Sequence, residues 1–407
     1  MNRFFADLHI HIGANEEKKP VKITASRDLT FENIIKEALE RKGIDIIGIV
    51  DCASPRVIQD IKKLIARGII AELPEGGFRH KEKITIILAS EIECIEKDGG
   101  KAHYIAYFPF FKQIQDFSNI MSRYITNIDL SSQQSGISGE ELFNIVHSLG
   151  GVFVPAHAFT PHKSVYGNCA PRLSKIFSPK TLQSIPALEL GLSADTYLAD
   201  RIEELQQITF LSNSDSHSLS KIGREYNLLL LNRPNFKEIM LAFKNIEERK
   251  VMANFGLDPK LGKYHRTHCP RCGYIAELNP PILSCPNCNN KDVIIGVLDR
   301  IESIADYNKP KHPPTRPVYH YQIPLEFVPG VGVGILNKLI NYFGSEMAIL
   351  HYASYEDLKK VAGWEIAQNI VLAREGKLLL QAGGGGKYGK VKKESKKAKQ
   401  LSLLEGL

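Results

Sequence analysis

Histidines and acids close one apolar run after another in this chain: Asp7-Leu8-His9-Ile10-His11, then Asp51, Glu91, His103, His157 and finally Asp215-Ser216-His217. Imidazole and carboxylate are the donors that borderline and hard divalent cations take. His9 and His11 are two residues apart on a strand-like run, so they share one side of it, and Asp7 shares that side as well, where it is expected to ligate a metal or to orient an imidazole. A single histidine at a strand end is ordinary, but five of them with four carboxylates are a site. Clustered divalent ions lower the pKa of a bound water and stabilise charge on the attacking and leaving oxygens of a displacement at phosphorus. The implied chemistry is therefore phosphate-ester hydrolysis. His80, His147 and His351 lack this placement and read as ordinary surface or core residues.

The elements that must hold these groups alternate along the chain. Arg3 to Leu8 reads as a short buried strand. Thr30 to Lys42 carries apolar residues at 31, 34, 35, 38 and 39, one helical face, with Gly43 as its stop. Ile44 to Val50 is β-branched and ends on Asp51, and Ile84 to Ser90 repeats the pattern before Glu91. Ser138-Gly-Glu-Glu141 is a capping box for a helix that stops at Gly150. Val152 to Ala156 then leads to His157, and Ile208 to Ser212 leads to Asp215 and His217. Such alternation predicts an α/β fold with a parallel sheet and flanking helices. Ligands delivered at the same end of strand after strand favour a closed barrel, whose catalytic groups sit past the strand C-termini.

Two cysteine pairs, Cys269-Pro-Arg-Cys272 and Cys285-Pro-Asn-Cys288, are separated by 12 residues. Two such knuckles make a closed thiolate site, which predicts structural Zn²⁺ with no ligand position left for catalysis. Cys52, Cys94 and Cys169 read as small buried side chains. Pro329-Gly-Val-Gly332, followed by Ile335, Leu336, Leu339 and Ile340, resembles a helix-hairpin-helix, in which glycines let backbone N–H groups approach a phosphate. Val361-Ala-Gly363-Trp-Glu-Ile-Ala367 resembles a second copy, with Glu365 in place of the second glycine. Gly330–Gly334 and Gly383–Lys387 are not nucleotide-binding loops. The first lacks a preceding strand pattern, and Tyr388 stands where a Ser or Thr is required.

The net charge of +7 is concentrated: residues 387–399 hold seven lysines and one glutamate, or +6 of it. Attraction to an anionic polymer is therefore expected of the tail. No apolar run is long enough to span a membrane and no signal-peptide pattern opens the chain, so a cytoplasmic location is expected, at the nucleoid for a DNA-acting protein; nothing suggests an obligate assembly, and a monomer is expected. The expected domains are a catalytic barrel over 1–260, a cysteine module over 261–300, a helical region over 301–380, and a flexible Gly/Lys tail over 381–407.

The histidine–acid constellation resembles the PHP (polymerase and histidinol phosphatase) family, whose distorted barrel binds up to three metals. The match narrows with Leu211-Ser-Asn-Ser-Asp-Ser-His217, Ile222-Gly-Arg-Glu225, Pro155-Ala-His-Ala-Phe-Thr-Pro161 and Ala187-Leu-Glu-Leu-Gly-Leu-Ser193, followed by the cysteine module. In that order these segments are similar to the endonuclease Q family over about residues 1–330. The resemblance implies His9, His11, Glu91, His103, His157, Asp215 and His217 as ligands of two or three divalent ions (Zn²⁺, Mn²⁺ or Mg²⁺). Glu91 would bridge, and Asp51 would join a third site with His217. Two departures bear on that third ion. Cys52 stands where many PHP proteins carry His, and no acid soon after His11 is obvious among Glu16, Glu17 and Asp28.

The resemblance further implies a nick on the 5′ side of uracil, hypoxanthine or xanthine in DNA, and of abasic sites, after the nucleotide leaves the stack. Phe159, His162 and Arg224 are candidates for pocket or backbone contacts, and Gly330 and Gly332 for DNA contacts in the hairpin. Gln400-Leu401-Ser-Leu403-Leu404 resembles the peptide by which bacterial proteins dock on the DNA sliding clamp, behind a glycine–lysine tether. Two other functions fit the cluster: a phosphoesterase for a small metabolite, and an inactive DNA- or clamp-binding adaptor. A small substrate needs no cysteine module, hairpin or basic tail, and an inactive cleft would not keep its ligand positions filled.

Overall fold

The computed structural model describes residues 1–391. Fourteen strands occur among them: β1 Asn2–Ile10, β2 Ile46–Ile49, β3 Ala71–Glu72, β4 Phe78–His80, β5 Ile84–Ile95, β6 Lys101–Phe108, β7 Val152–Pro155, β8 Ala187–Glu189, β9 Thr209–Leu211, β10 Tyr226–Leu231, β11 Lys250–Gly256, β12 Val318–Tyr321, β13 Leu380–Gln381 and β14 Lys390–Val391. The main sheet runs β12-β11-β10-β1-β2-β5, where it branches to β4-β3 on one side and β6-β7 on the other.

The mixed α/β expectation stands, but the barrel is not uniformly parallel. β1 and β2 are parallel, as are β2 and β5, whereas β5–β6, β6–β7, β1–β10 and β10–β11 are antiparallel. The reason is local. Asp98-Gly99-Gly100 reverses the chain directly after β5, with Gly99 in the left-handed region at φ 78°, so no crossover helix intervenes. β5 also runs past Ser90 to Ile95, which puts Glu91 and Glu93 on the strand itself and sets Glu93 opposite His103.

Side-chain amides help to close the barrel beside the parallel pair β8–β9. Asn227 Nδ2 donates to the Ser212 carbonyl at 2.9 Å while its Oδ1 accepts from the Ser212 N–H, and Asn254 Nδ2 reaches the Phe210 carbonyl at 3.0 Å. On the other side, the Ala158 N–H donates to the Glu189 carbonyl at 2.9 Å. Ala6, Leu8, Ile46, Ile87, Ile105, Val154 and Leu211 share one apolar cluster within this framework. The predicted helix after Thr30 is present over Phe31–Glu37, capped by Thr30, and widens to a π turn over Ala38–Lys42 before Gly43 at φ 75°. The Ser138–Glu141 capping box is also present.

Residues 380–391 are not a free tether. Gly383 N–H donates to the Lys260 carbonyl at 2.7 Å and Gly389 N–H to the Leu261 carbonyl at 2.9 Å, which docks the segment on the barrel. A Cβ on Gly383 would lie 2.5 Å from Gly389 N, so the glycines serve close backbone approach here and not flexibility. Gln400, Leu401, Leu403 and Leu404, together with most of the lysine run, lie outside the described residues. Among the described residues no helix is long and apolar enough to cross a membrane.

Candidate active site

β1 delivers His9 and His11 to the barrel mouth, where the turn after β9 brings Asp215 against them. His9 Nε2 and His11 Nε2 are 3.3 Å apart, and Asp215 Oδ1 lies 3.7 and 3.4 Å from them. Donors bound tetrahedrally at ~2.05 Å from one ion stand about 3.3 Å apart, so this triangle matches one face of a coordination shell. A second group gathers on β5 and β6. Glu91 Oε1 is 2.8 Å from His103 Nδ1 and 3.3 Å from His157 Nε2. Glu91 also faces the first group, at 3.5 Å from His9 Nε2 and 3.6 Å from His11 Nε2, which is where a bridging carboxylate would sit.

His157 and Asp215 adopt left-handed backbone at φ 28° and 44°. Non-glycine residues rarely do so, and the surrounding hydrogen bonds must hold them there. Arg224 supplies part of that hold, donating from Nε to the Ser214 carbonyl at 2.7 Å and from Nη2 to the Asp215 carbonyl at 3.1 Å.

The donor set fits divalent ions. Burial disfavours ionised Glu91 and Asp215, yet both are held well below the usual carboxylate range: His103 and Lys22 act on Glu91, His11 and His9 on Asp215. Burial likewise opposes charge on His9, but Glu189, Asp215 and Glu91 outweigh it and raise the imidazole to about 10. Carboxylates that draw protons onto three buried imidazoles (His9, His11 and His157) mark a place that demands positive charge, which cations would satisfy better. Glu189 Oε1 is buried without a partner.

Other residues take places the sequence does not announce. Asp7 accepts backbone N–H groups from Gly223 at 2.8 Å and Ser214 at 3.1 Å, so it braces the Asp215 turn and is not in either donor group. Asp51 stands behind His11, accepting from Nδ1 at 3.0 Å and from the Ile12 N–H at 2.6 Å. His217 lies 4.6 Å ring to ring from His11, tilted by 56°, but its Nδ1 turns to the Asp215 carbonyl at 3.0 Å, and burial lowers its pKa to about 4.

Phe159 is buried against Tyr166, ring centroids 5.1 Å apart, and is a core residue with no open face for DNA. His162 is exposed and meets Tyr264 edge-on. Gly330, at φ 89°, precedes the helix Val333–Phe343, whose N-cap is Gly332. Gly363, at φ 87°, is itself the N-cap of Trp364–Arg374, whereas Gly332 has φ −82°.

Sequence reasoning missed Glu189, Lys22, Ser132 and Glu93. Glu189 Oε2 accepts from His9 Nδ1 at 2.9 Å and from Asn213 Nδ2 at 3.1 Å. An acid inside the apolar run Ala187–Leu190 was the available signal. Glu93 accepts from His103 Nε2 at 3.4 Å and pairs with Lys163 at 2.7 Å. Its position two residues beyond Glu91 on one strand face was signal enough.

The four knuckle thiols also converge. Cys269 and Cys288 Sγ are 3.7 Å apart, and Cys272 and Cys285 are 3.5 Å apart. Those spacings exclude disulfides, whose S–S bond is ~2.05 Å, and match thiolates sharing one ion at ~2.3 Å, which stand about 3.8 Å apart. Although burial opposes ionisation, the Cys272 and Arg271 N–H groups and the Asn290 amide bring Cys269 down to about 6.

A cavity of about 210 Å³ opens beside the histidine–acid cluster, lined by His157, Thr160, Ser193, Asp215, Lys263 and Tyr388 among others. Tyr388 comes from the docked C-terminal segment; Arg224 Nη1 donates to its hydroxyl at 3.1 Å and Lys263 Nζ sits 4.6 Å from its ring centre.

No family model matches the chain. It is 45% identical over 394 residues, 96% of its length, to all of the uncharacterised protein YqxK of Bacillus subtilis. Among solved structures it is similar to the lesion-specific endonuclease PfuEndoQ of Pyrococcus furiosus, with 31% identity and a TM-score of 0.82 over 100% of this chain and 99% of that one. It is also similar to an endonuclease Q bound to a 27-mer duplex with an abasic lesion at the active site, with 32% identity and a TM-score of 0.80 over 96% of each chain.

Proposed function

The chain belongs to the endonuclease Q family, and from that premise we propose that it nicks DNA on the 5′ side of deaminated bases, namely uracil, hypoxanthine and xanthine, and of abasic sites. It is a DNA repair nuclease that hydrolyses phosphodiester bonds. The observation that carries the finer reading is the cavity that shares His157 and Asp215 with the ligand cluster. A nucleotide turned out of the stack into that cavity would bring its own backbone to the cluster.

Deamination replaces an exocyclic amine with a carbonyl, turning a hydrogen-bond donor into an acceptor. The cavity offers donors: the Lys263 ammonium and the Ser193 hydroxyl. Tyr388 presents an aromatic ring on which a base can stack. Gly191, at φ 79°, lets the wall pass close to His157, since a Cβ there would meet the His157 Cβ at 2.9 Å.

His9, His11 and Asp215 would hold one divalent ion and Glu91, His103 and His157 a second. Such ions supply hydroxide at neutral pH and neutralise charge developing on phosphate oxygens. Glu189 and Asp51 accept from the Nδ1 atoms of His9 and His11, which fixes both rings with Nε2 toward the cleft. Zn²⁺ at the four cysteines would organise the module over 261–300 as a structural site, and Asp299 ties its backbone down by accepting from the Thr267 and Ile282 N–H groups at 2.8 Å. The glycine turns before the helices Val333–Phe343 and Trp364–Arg374 offer N–H groups for phosphates on the flanking duplex. The peptide Gln400–Leu404 would dock on a sliding clamp; its removal should abolish clamp pull-down and spare nicking of short duplexes.

The test is a panel of labelled duplexes, each with one uracil, hypoxanthine, xanthine or abasic site, incubated with Mn²⁺ or Mg²⁺. Nicks 5′ of the modified position and none in the undamaged duplex are expected. Equal cleavage of undamaged DNA would overturn the lesion specificity, and release of phosphate from monoesters alone would overturn the nuclease reading.

A further inference from the structure

Asp215 faces His9 and His11 from a left-handed backbone, φ 44°, which a non-glycine residue keeps only where its neighbours over-determine it. The amides on either side are tied to the first strand: Ser214 N–H donates to Asp7 at 3.1 Å and Ser216 N–H to the His9 carbonyl at 3.2 Å. The carbonyls are held differently. Arg224 takes that of Ser214 through Nε at 2.7 Å and that of Asp215 through Nη2 at 3.1 Å, with His217 Nδ1 3.0 Å from the second.

Arg224 is itself anchored from outside the barrel. Its remaining branch, Nη1, donates to the Tyr388 hydroxyl at 3.1 Å. A guanidinium is planar and rigid, so fixing one branch fixes the direction of the other two. The Tyr388 ring adds little, since Arg224 Cζ stands 5.9 Å from its centre, at the far limit of a cation–π contact.

Tyr388 belongs to the short hairpin in which β13 and β14 pair antiparallel, Leu380 with Val391 and Gln381 with Lys390. Two surfaces seat it. On one, Gly383 and Gly389 dock on Lys260 and Leu261, and Gly386 N–H donates to the Lys263 carbonyl at 3.3 Å. On the other, the cysteine module, a Cβ on Gly384 would lie 2.9 Å from Ile275 Cγ2 and one on Gly385 3.2 Å from His268 Cδ2. Only glycines approach both surfaces this closely.

We propose that the hairpin over 380–391 is part of the hydrolytic apparatus: the Tyr388 hydroxyl aims Arg224, and Arg224, as a positioning residue, holds the Asp215 turn against His9 and His11. A segment remote in sequence and seated partly on the cysteine module thereby sets the geometry of the cleft. The proposal rests on the cleft being where the phosphodiester is cut, and it does not depend on which DNA lesion is preferred.

The test measures kcat and KM for nicking by the full-length protein at saturating Mn²⁺. Tyr388→Phe keeps the ring and loses the hydroxyl, so kcat should fall about tenfold, the cost of one hydrogen bond to a charged group, while KM stays put. Arg224→Lys keeps the charge but not the three-way fork, and should lower kcat on the order of 10–100-fold at constant KM. Gly389→Ala, whose Cβ would lie 2.4 Å from the Gln381 carbonyl oxygen, should undock the hairpin and change both constants. Wild-type kcat in Tyr388→Phe or in Arg224→Lys would overturn the proposal, as would a loss confined to KM, the mark of a DNA contact. If the wild type nicks no DNA, hydrogen exchange in the metal-free protein still decides it. Faster exchange of the Ser214 and Ser216 amides in Tyr388→Phe is expected, and exchange identical to wild type would overturn the proposal.

Discussion

Replacing Glu189 with glutamine removes one charge from the cleft while leaving its shape alone. The glutamine oxygen can keep both bonds now made by Glu189 Oε2, from His9 Nδ1 at 2.9 Å and Asn213 Nδ2 at 3.1 Å. The new NH₂ would fall where Oε1 lies without a partner. What is lost is the negative charge that makes His9 a stronger donor to metal. A buried hydrogen bond to a charged acceptor contributes ~1.5–3 kcal/mol, against ~0.5–1.5 for a neutral one. The difference of about 1.4 kcal/mol is roughly tenfold in affinity; groups in this position measure ~10–100-fold.

Nicking rates at saturating DNA, recorded across a Mn²⁺ series, should therefore show half-saturation moved up by about tenfold or more, with the maximal rate largely recovered at high metal. In the metal-free protein His9, now at about 10, should titrate nearer its ordinary value, since Glu189 is the strongest of the groups raising it. By linkage, stability from His9 is complete below ~6.5 and is lost as pH rises toward 10, and Glu189→Gln should flatten that decline. Unchanged Mn²⁺ half-saturation together with an unchanged His9 titration would refute the assignment of Glu189 as the group that orients His9.

The remaining predictions concern other sites. Cys269→Ser should release one ion per chain and loosen the module over 261–300 to proteolysis; unchanged metal content would contradict a shared thiolate site. Glu225 is buried with Oε2 unpartnered, and burial pushes its carboxyl up to about 8. Between ~4.3 and 8 the unfolded chain ionises while the folded one keeps its proton, so stability falls with pH by about 1.4 kcal/mol per unit. Glu225→Gln should abolish that slope in urea titrations at pH 6 and 8, and parallel slopes in the two proteins would refute it. Tyr388→Ala should weaken lesion nicking by raising KM, since stacking a base on an aromatic ring contributes ~1–3 kcal/mol. An unchanged KM would remove Tyr388 from the cavity's function.

The sequence revealed the cluster because the fold loads it onto strands. Buried β-branched runs ending in His or Asp are visible without coordinates, and so are two cysteine knuckles and a capping box. Groups brought in by loops were not visible. Lys22 and Ser132 belong to no periodic pattern, and only backbone pairing to Ile12, Gly13 and Val21 carries them to Glu91. Asp7 and Asp51 were legible as site residues but not in their roles, because which oxygen meets a backbone N–H depends on the turns after β9 and β1.

Gly383–Gly386 was open to either of two physical readings, flexibility or close approach, and composition does not choose between them. The docking on Lys260 and Leu261 does. The antiparallel pair β5–β6 was signalled by Asp98-Gly99-Gly100, a turn that the alternating strand–helix reading passed over.

The cleft's role is tested most directly by Asp215→Asn, which keeps the turn and the Arg224 contacts to backbone carbonyls but removes the oxygen charge facing His9 and His11. Wild type and variant are assayed with Mn²⁺ on a duplex bearing a single uracil, with folding checked by circular dichroism and ions counted in each. A nick 5′ of the uracil, abolished by a chelator, is expected of the wild type, and no nick and fewer bound ions of a folded variant. Wild-type rates from Asp215→Asn would contradict the cleft's role as the metal centre for hydrolysis.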